Sequence, residues 1–118
     1  MSAVCPKPEF FLVLTNCPDD ACAERIAKTL VERGLAACVN ILAPCRSIYR
    51  WQGAIEEAAE IPLLIKTRIN RYSELEDTIK ACHPYTVPEI IALPIRNGLP
   101  AYLDWLSTET GSTKACPP

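Results

Sequence analysis

The chain has 118 residues, of which 49% are hydrophobic, and a formal net charge of -2 at pH 7. This length fits one domain with its own core, and the small negative charge predicts no nucleic-acid partner. No apolar run approaches the roughly 20 residues of a membrane span, and residues 1–7 do not resemble a signal peptide, so we expect a cytoplasmic protein with no membrane partner. The seven cysteines contain no C-x-x-C pair, which favours free thiols over a disulfide framework.

The first predicted elements are a buried strand and an amphipathic helix. Residues 10–15 form a short apolar run of strand-forming residues. Asp19 is placed to cap the following helix, and Gly34 to end it with a positive φ angle. The predicted apolar stripe of this helix consists of Ala23, Ile26, Ala27, Leu30 and Val31.

Two long strand-like segments, 37–51 and 54–67, follow, and Gln52-Gly53 between them predicts a tight hairpin turn. Arms of about 14 residues at about 3.3 Å each span roughly 46 Å. A compact domain of this length has a radius of gyration of about 13–14 Å, so the hairpin should extend beyond its own body and pack on a neighbouring subunit. Pro44 and Pro62 fall nearly opposite each other and predict a bend halfway, or alternatively a division into shorter strands.

The second half of the chain predicts another helix, another strand and a final helix. Asn70 is the expected cap of the second helix, whose apolar face is Tyr72, Leu75, Ile79 and Cys82. A strand at 88–95 follows, and Pro100 opens the last helix. The order β-α-β-β-α-β plus a helix predicts an α+β fold of the ferredoxin-like, split βαβ type, with one antiparallel sheet.

This predicted domain covers residues 10–108. Residues 1–9 and 109–118 are Pro-rich or polar and are predicted to be flexible tails.

The only histidine lies in the segment Cys82-His83-Pro84-Tyr85-Thr86-Val87-Pro88-Glu89, between the second helix and the last strand. A thiol, an imidazole, a phenol and a carboxylate at one junction could bind a soft metal or transfer protons. The structural alternative is that His83 caps the last carbonyls of the helix. No oxyanion signature or orienting residue accompanies the segment, so we predict that the protein is not an enzyme.

Five segments together resemble the CutA family of divalent-cation tolerance proteins, in the same order and over about residues 10–108. They are Leu35–Ile41, Ser47–Gly53, Leu64–Thr67, His83–Ile90 and Tyr102–Leu106. The resemblance implies a ferredoxin-like fold, a tight homotrimer joined by its long hairpins, no established reaction, and copper binding in some bacterial members. The architecture is also similar to that of trimeric nitrogen-regulatory signalling proteins. The alternative function is therefore a trimeric signalling or scaffold protein that binds a small effector or a protein partner between subunits.

The resemblance also implies a metal site. Copper ligation in the family uses a cysteine that ends the first strand and a His-His pair before Pro-Tyr. Here Thr15 has the strand-end position, with Cys17 two residues later, and Cys82 replaces the first histidine, so only His83 carries over directly. The first and last strands should be antiparallel neighbours, which predicts Cys17, Cys82 and His83 at one edge as ligands for copper or another divalent metal. The helix that follows Cys17 is expected to lower the pKa of its thiol.

Two aromatic residues near the hairpin tip, Tyr49 and Trp51, resemble subunit-interface residues of the family, which agrees with the enrichment of aromatic residues at interfaces. The expected partners are therefore other copies of the chain and metal ions, and no cofactor is required for folding. Three further residues are candidates for a pocket: Tyr85, Glu89 and Lys66.

Overall fold

The computed structural model describes residues 9–111 and confirms an α+β fold with an antiparallel sheet. In chain order the elements are β1 (Phe10–Cys17), α1 (Asp20–Glu32), β2 (Cys38–Ile41), β3 (Cys45–Trp51), β4 (Ala54–Arg68), α2 (Ile69–Cys82), β5 (Ile90–Pro94) and α3 (Pro100–Glu109). The predicted tails lie almost wholly outside the described residues. Within the described part of the chain, no helix is long and apolar enough to cross a membrane.

The sheet has the strand order β2-β4-β1-β5, and every neighbouring pair is antiparallel. β3 pairs with the outer half of β4, from Trp51 opposite Ala54 to Cys45 opposite Glu60. The predicted pairing of the first and last strands is confirmed, with Thr15 opposite Ile90. The end of β1 and the segment that leads into β5 therefore meet at one edge of the sheet.

The first helix forms as its sequence predicts. The Asp19 carboxylate accepts a hydrogen bond from the Cys22 backbone N–H at 2.8 Å, which satisfies one of the free amides of the first turn. After the helix, Gly34 adopts a φ of 69°, where a side chain would be strained. The predicted stripe is buried except for Val31, which is 44% exposed.

The core lies between one face of the sheet and the helices α1 and α2. Alternate residues of each strand face it, because successive side chains of a strand point to opposite sides. The largest fully buried apolar side chains of this core are Ile26, Leu30, Leu35, Leu63, Ile65, Leu75 and Ile79, together with Val13, and Leu106 of α3 is also fully buried. On β5, Ile90 and Ala92 pack on this core, whereas Ile91 and Leu93 are 49% and 47% exposed.

The hairpin extends beyond the body of the domain, as predicted. Gln52 and Gly53 form its turn with φ angles of 50° and 84°. The radius of gyration is 15.9 Å and the longest dimension is 54 Å, against a radius of gyration of about 13–14 Å for a compact domain of this size. The long hairpin accounts for the difference.

Only one arm of the hairpin is interrupted, so the alternative that both prolines divide their arms into shorter strands is wrong for β4. Residues 42–44 separate β2 from β3, but β4 runs unbroken through Pro62. The Pro62 carbonyl accepts a hydrogen bond from the Leu42 N–H at 3.0 Å. Because the N–H and C=O of an antiparallel residue point to the same neighbour, the N–H that proline lacks would face the gap at 42–44.

The second helix begins two residues earlier than predicted, and Asn70 does not cap it. Arg68 is the N-cap residue, and β4 leads into α2 without a loop. The Ile69 N–H, the first amide of the helix, donates to the Glu9 carbonyl at 2.9 Å, so a backbone group outside the helix satisfies it.

Candidate functional site

His83 joins the end of β1 to the loop between α2 and β5. The side chain is 7% exposed. Its Nε2 lies 2.7 Å from the Asn16 carbonyl oxygen, and its Nδ1 lies 3.2 Å from the Tyr85 backbone nitrogen. The ring therefore bonds to β1 and to its own loop, whereas the capping alternative required bonds to the last carbonyls of α2.

These two partners fix the tautomer of the ring. The Tyr85 backbone N–H can only donate, so Nδ1 must accept and carries no proton. The Asn16 carbonyl can only accept, so Nε2 must carry the proton and donate it. Both ring nitrogens of His83 are thus engaged, and a metal ion could bind the ring only by displacing one of these bonds.

The two thiols of the predicted metal set lie in different surroundings. Cys17 is fully buried at the end of β1, and Cys82 is partly buried at the end of α2, packed on the core. Burial, followed by the neighbouring Cys22 thiol, raises the pKa of Cys17 to about 12. The expected lowering of this pKa is wrong, because loss of solvent outweighs the favourable field of the helix that follows.

The described residues therefore do not form a ready metal centre. Within residues 9–111, no three His, Cys, Asp or Glu side chains are grouped closely enough to hold an ion. The Cys17 thiol is protonated, and the ring nitrogens of His83 are both hydrogen-bonded. Thr15, which was predicted to end β1, lies two residues inside the strand, and among the described residues its buried hydroxyl oxygen has no hydrogen-bond partner.

A cavity of about 740 Å³ lies between the hairpin and the loop that follows His83. Its lining residues are Asn16, Ser47, Ile48, Tyr49, Trp51, Glu60, Pro84, Tyr85, Thr86, Val87 and Glu89. This volume is within the range of about 300–1,000 Å³ that is typical of small-molecule sites. The cavity therefore brings together four residues predicted separately, the interface candidates Tyr49 and Trp51 and the pocket candidates Tyr85 and Glu89.

A hydrogen bond within the lining of this cavity joins Tyr85 to Glu60. The Tyr85 hydroxyl donates to Glu60 Oε2 at 2.8 Å, and Glu60 is 8% exposed. Burial, and then the Glu60 carboxylate, raise the pKa of Tyr85 well above its usual value, so the phenol remains the donor at neutral pH. At the rim, the Asn16 side-chain amide donates to Glu89 Oε1 at 3.0 Å.

Lys66 does not belong to this cavity. Its ammonium group is hydrogen-bonded to Asn40 Oδ1 and lies 3.9 Å from the Cys38 sulfur, on the strands β4 and β2. The lining residues that the sequence did not single out are chiefly Glu60 and Asn16. Glu60 lies on the other face of β4 from the exposed Glu57, and four residues further from the hairpin turn than the exposed Glu56 on its own face. These differences can be read only once the inner part of the strand is placed.

Comparison with known proteins gives a consistent result. Residues 11–109 match the family model described as CutA1 divalent ion tolerance protein. The chain is 53% identical over 100 residues to the divalent-cation tolerance protein CutA of Thermus thermophilus, covering 85% of this chain and 97% of that one. It is 50% identical to a CutA homolog of Xenopus laevis over 77% of this chain, and spans 60% of that longer relative.

The fold agrees with this relationship. The structure described as the periplasmic divalent cation tolerance protein CutA from Archaeoglobus fulgidus superposes with a TM-score of 0.83, at 44% identity, covering 86% of this chain and 98% of that one. A match over nearly the whole described chain, by family model, sequence and structure, leaves one conclusion. The chain belongs to the CutA1 family of divalent ion tolerance proteins.

Proposed function

We propose that the protein acts as a non-enzymatic, cytoplasmic homotrimer that binds heavy-metal ions, with copper as the preferred metal, in the response to such ions. Membership of a divalent-cation tolerance family supports the general role. The strand order β2-β4-β1-β5 supports assignment to the ferredoxin-like, split βαβ type.

Assembly as a trimer is supported by apolar surface that one chain leaves uncovered. Ile91 and Leu93 of β5 alternate away from the core and lie opposite Leu14 and Leu12 of β1, so this face of the sheet carries a row of leucine and isoleucine. Contiguous exposed apolar surface of this kind is typical of an interaction site. The projecting hairpin, with Tyr49 and Trp51 each 43% exposed, supplies a second surface for a neighbouring subunit.

One observation carries the metal proposal. His83 Nε2 lies 2.7 Å from the carbonyl oxygen of Asn16, the residue before Cys17, and this contact holds the histidine against the end of β1. A thiol and an imidazole at one edge suit Cu(I) better than Mg²⁺ or Ca²⁺. Binding by Cys17, Cys82 and His83 would require the ring to give up one hydrogen bond and Cys17 to lose its proton, so we expect affinity to fall on acidification.

Anaerobic titration with Cu(I) and Zn²⁺ in the presence of a competing chelator tests this proposal. We expect about one Cu(I) per subunit, with weaker binding in Cys17→Ser and His83→Ala. Cys22→Ser is the matched control, because Cys22 is a buried thiol of the same region that was not predicted as a ligand. Unchanged Cu(I) affinity in the double variant Cys17→Ser/Cys82→Ser would place the ligands elsewhere.

A second candidate function, binding of a small effector, is favoured by the cavity beside the hairpin. Its volume of about 740 Å³ and its mixture of aromatic and carboxylate side chains are typical of a ligand site. Titration of the intact protein with small charged and neutral molecules tests this candidate independently of metal binding. A protein that bound Cu(I) but none of these molecules would keep the first proposal and lose the second.

A further inference from the structure

We infer that the cavity between the hairpin and the loop 84–89 is a site for an organic ammonium cation, a primary or methylated alkylamine. This inference rests on the second candidate function, effector binding, and names the class of effector. It does not depend on whether the protein binds copper.

The first argument is the charge of the lining. Two carboxylates, Glu60 and Glu89, line the cavity, and no lysine or arginine of residues 9–111 does so. Glu60 is 8% exposed, and within that range its side chain has no cationic partner and only the Tyr85 hydroxyl as a hydrogen-bond donor. Buried carboxylates are normally paired with a cation. A ligand that enters beside Glu60 and brings a positive charge would supply the missing partner.

The second argument is the aromatic lining. Tyr49, Trp51 and Tyr85 all line the cavity that holds the Glu60 carboxylate. The register explains this arrangement, because Ser47, Tyr49 and Trp51 lie on one face of β3. Ser47 is opposite Ala58, which is two residues from Glu60 on the same face of β4. Aromatic faces attract cations, and the attraction is strongest for weakly hydrated organic ammonium groups held away from water.

The combination of side chains favours an organic cation over a metal ion. A hard dication such as Mg²⁺ or Ca²⁺ takes six or more oxygen ligands. The described residues contain no group of three or more ligating side chains that could hold a metal. An organic cation with one positive charge and an apolar body is complementary to this lining, which has a buried carboxylate (Glu60), an exposed carboxylate (Glu89) and three aromatic rings. Glu89, held by the Asn16 amide at 3.0 Å, is placed to select for a second polar group on the ligand.

The test compares three probes with the same four-carbon body: butylammonium, 1-butanol and butyrate, titrated into the full-length, assembled protein in chelator-containing buffer. Binding is measured by calorimetry and by the fluorescence of Trp51 against that of a Trp51→Phe variant. We expect butylammonium to bind at least about tenfold more tightly than 1-butanol, and butyrate not to bind. Tetramethylammonium should also bind, because its charge is on a methylated nitrogen.

Glu60→Gln separates the charge from the shape of the site, since glutamine keeps an oxygen for the Tyr85 hydroxyl. We expect it to weaken butylammonium binding at least about tenfold, with sedimentation unchanged. Glu57→Gln is the matched control, because Glu57 lies on the other face of the same strand and pairs with Arg46 in solvent. Equal affinity for butylammonium and 1-butanol, or unchanged affinity in Glu60→Gln, would overturn the inference. Binding of butyrate alone would overturn it while leaving an effector site in place.

Discussion

Replacing His83 by alanine should destabilise the protein even when no metal is present. His83 is only 7% exposed, and its ring makes two hydrogen bonds: it donates to the Asn16 carbonyl and accepts from the Tyr85 N–H. Alanine would leave both backbone groups without their partner, and an unsatisfied buried group costs roughly 1–3 kcal/mol. We therefore expect a loss of about 3 kcal/mol in the free energy of unfolding.

Two further substitutions divide this effect between the ring nitrogens. His83→Gln can place an N–H donor near the Nε2 position and so keep the bond to Asn16, whereas His83→Asn can place an acceptor near the Nδ1 position and so keep the bond from Tyr85. Each should recover about half of the loss. The amide of Tyr85 should exchange with solvent faster in His83→Gln than in His83→Asn.

The assay is urea unfolding at one fixed protomer concentration, with a metal chelator present, because assembly makes apparent stability depend on concentration. A loss below about 0.5 kcal/mol in His83→Ala would refute the reasoning, since that is the scatter of ordinary surface substitutions. A loss that appears only when copper is added would give the ring a purely metal-binding role and refute it equally. Nitrogen chemical shifts of the imidazole provide a direct check, since we expect the proton on Nε2.

Three other predictions concern assembly, a thiol and a helix cap. Trp51→Ala should weaken assembly by about 2 kcal/mol if the indole anchors a subunit interface, and an unchanged sedimentation profile on dilution would contradict this. Cys17 should react with iodoacetamide more slowly than the partly exposed Cys45 at pH 8, because its pKa is raised to about 12. Stability from this raised pKa should be present below pH 9.0 and be lost as pH rises towards about 12, a loss that Cys17→Ser should reduce. Asp19→Ala should cost about 1 kcal/mol in thermal or urea unfolding, whereas Asp20→Ala should cost less.

Local signals in the sequence were enough to predict most of the fold. The Asp19 cap, the Gly34 terminator and the Gln52-Gly53 turn depend on backbone conformations that those residues themselves prefer, so they can be read from a few neighbouring letters. The Asn70 cap was mispredicted because the group that satisfies the start of α2 is the Glu9 carbonyl, 60 positions away along the chain. Pairing over such a distance leaves no trace in the local pattern.

The site was predicted only in outline for the same reason. Strand order placed Cys17 and His83 at one edge, and the 2.7 Å contact of His83 with the neighbouring Asn16 carbonyl agrees with this. The predicted lowering of the Cys17 pKa was wrong because the start of a helix favours the thiolate, whereas burial raises the pKa more strongly. Burial depends on the packed core, which the local sequence does not show. The role of Glu60 needed the register of β4 with β3, which composition does not reveal.

The unbroken course of β4 limits how the chain can change in length. Successive side chains of β4 point to opposite faces of the sheet along its whole length. Ile61, Leu63 and Ile65 therefore face the core, and Glu60 faces the cavity. A single inserted or deleted residue between the turn and Ile61 would exchange the two faces of the outer hairpin relative to the sheet. The opposite arm has a joint at 42–44 that could absorb such a change. Relatives should therefore differ in the length of this strand only by even numbers of residues, whereas the opposite arm can gain or lose a single residue at 42–44.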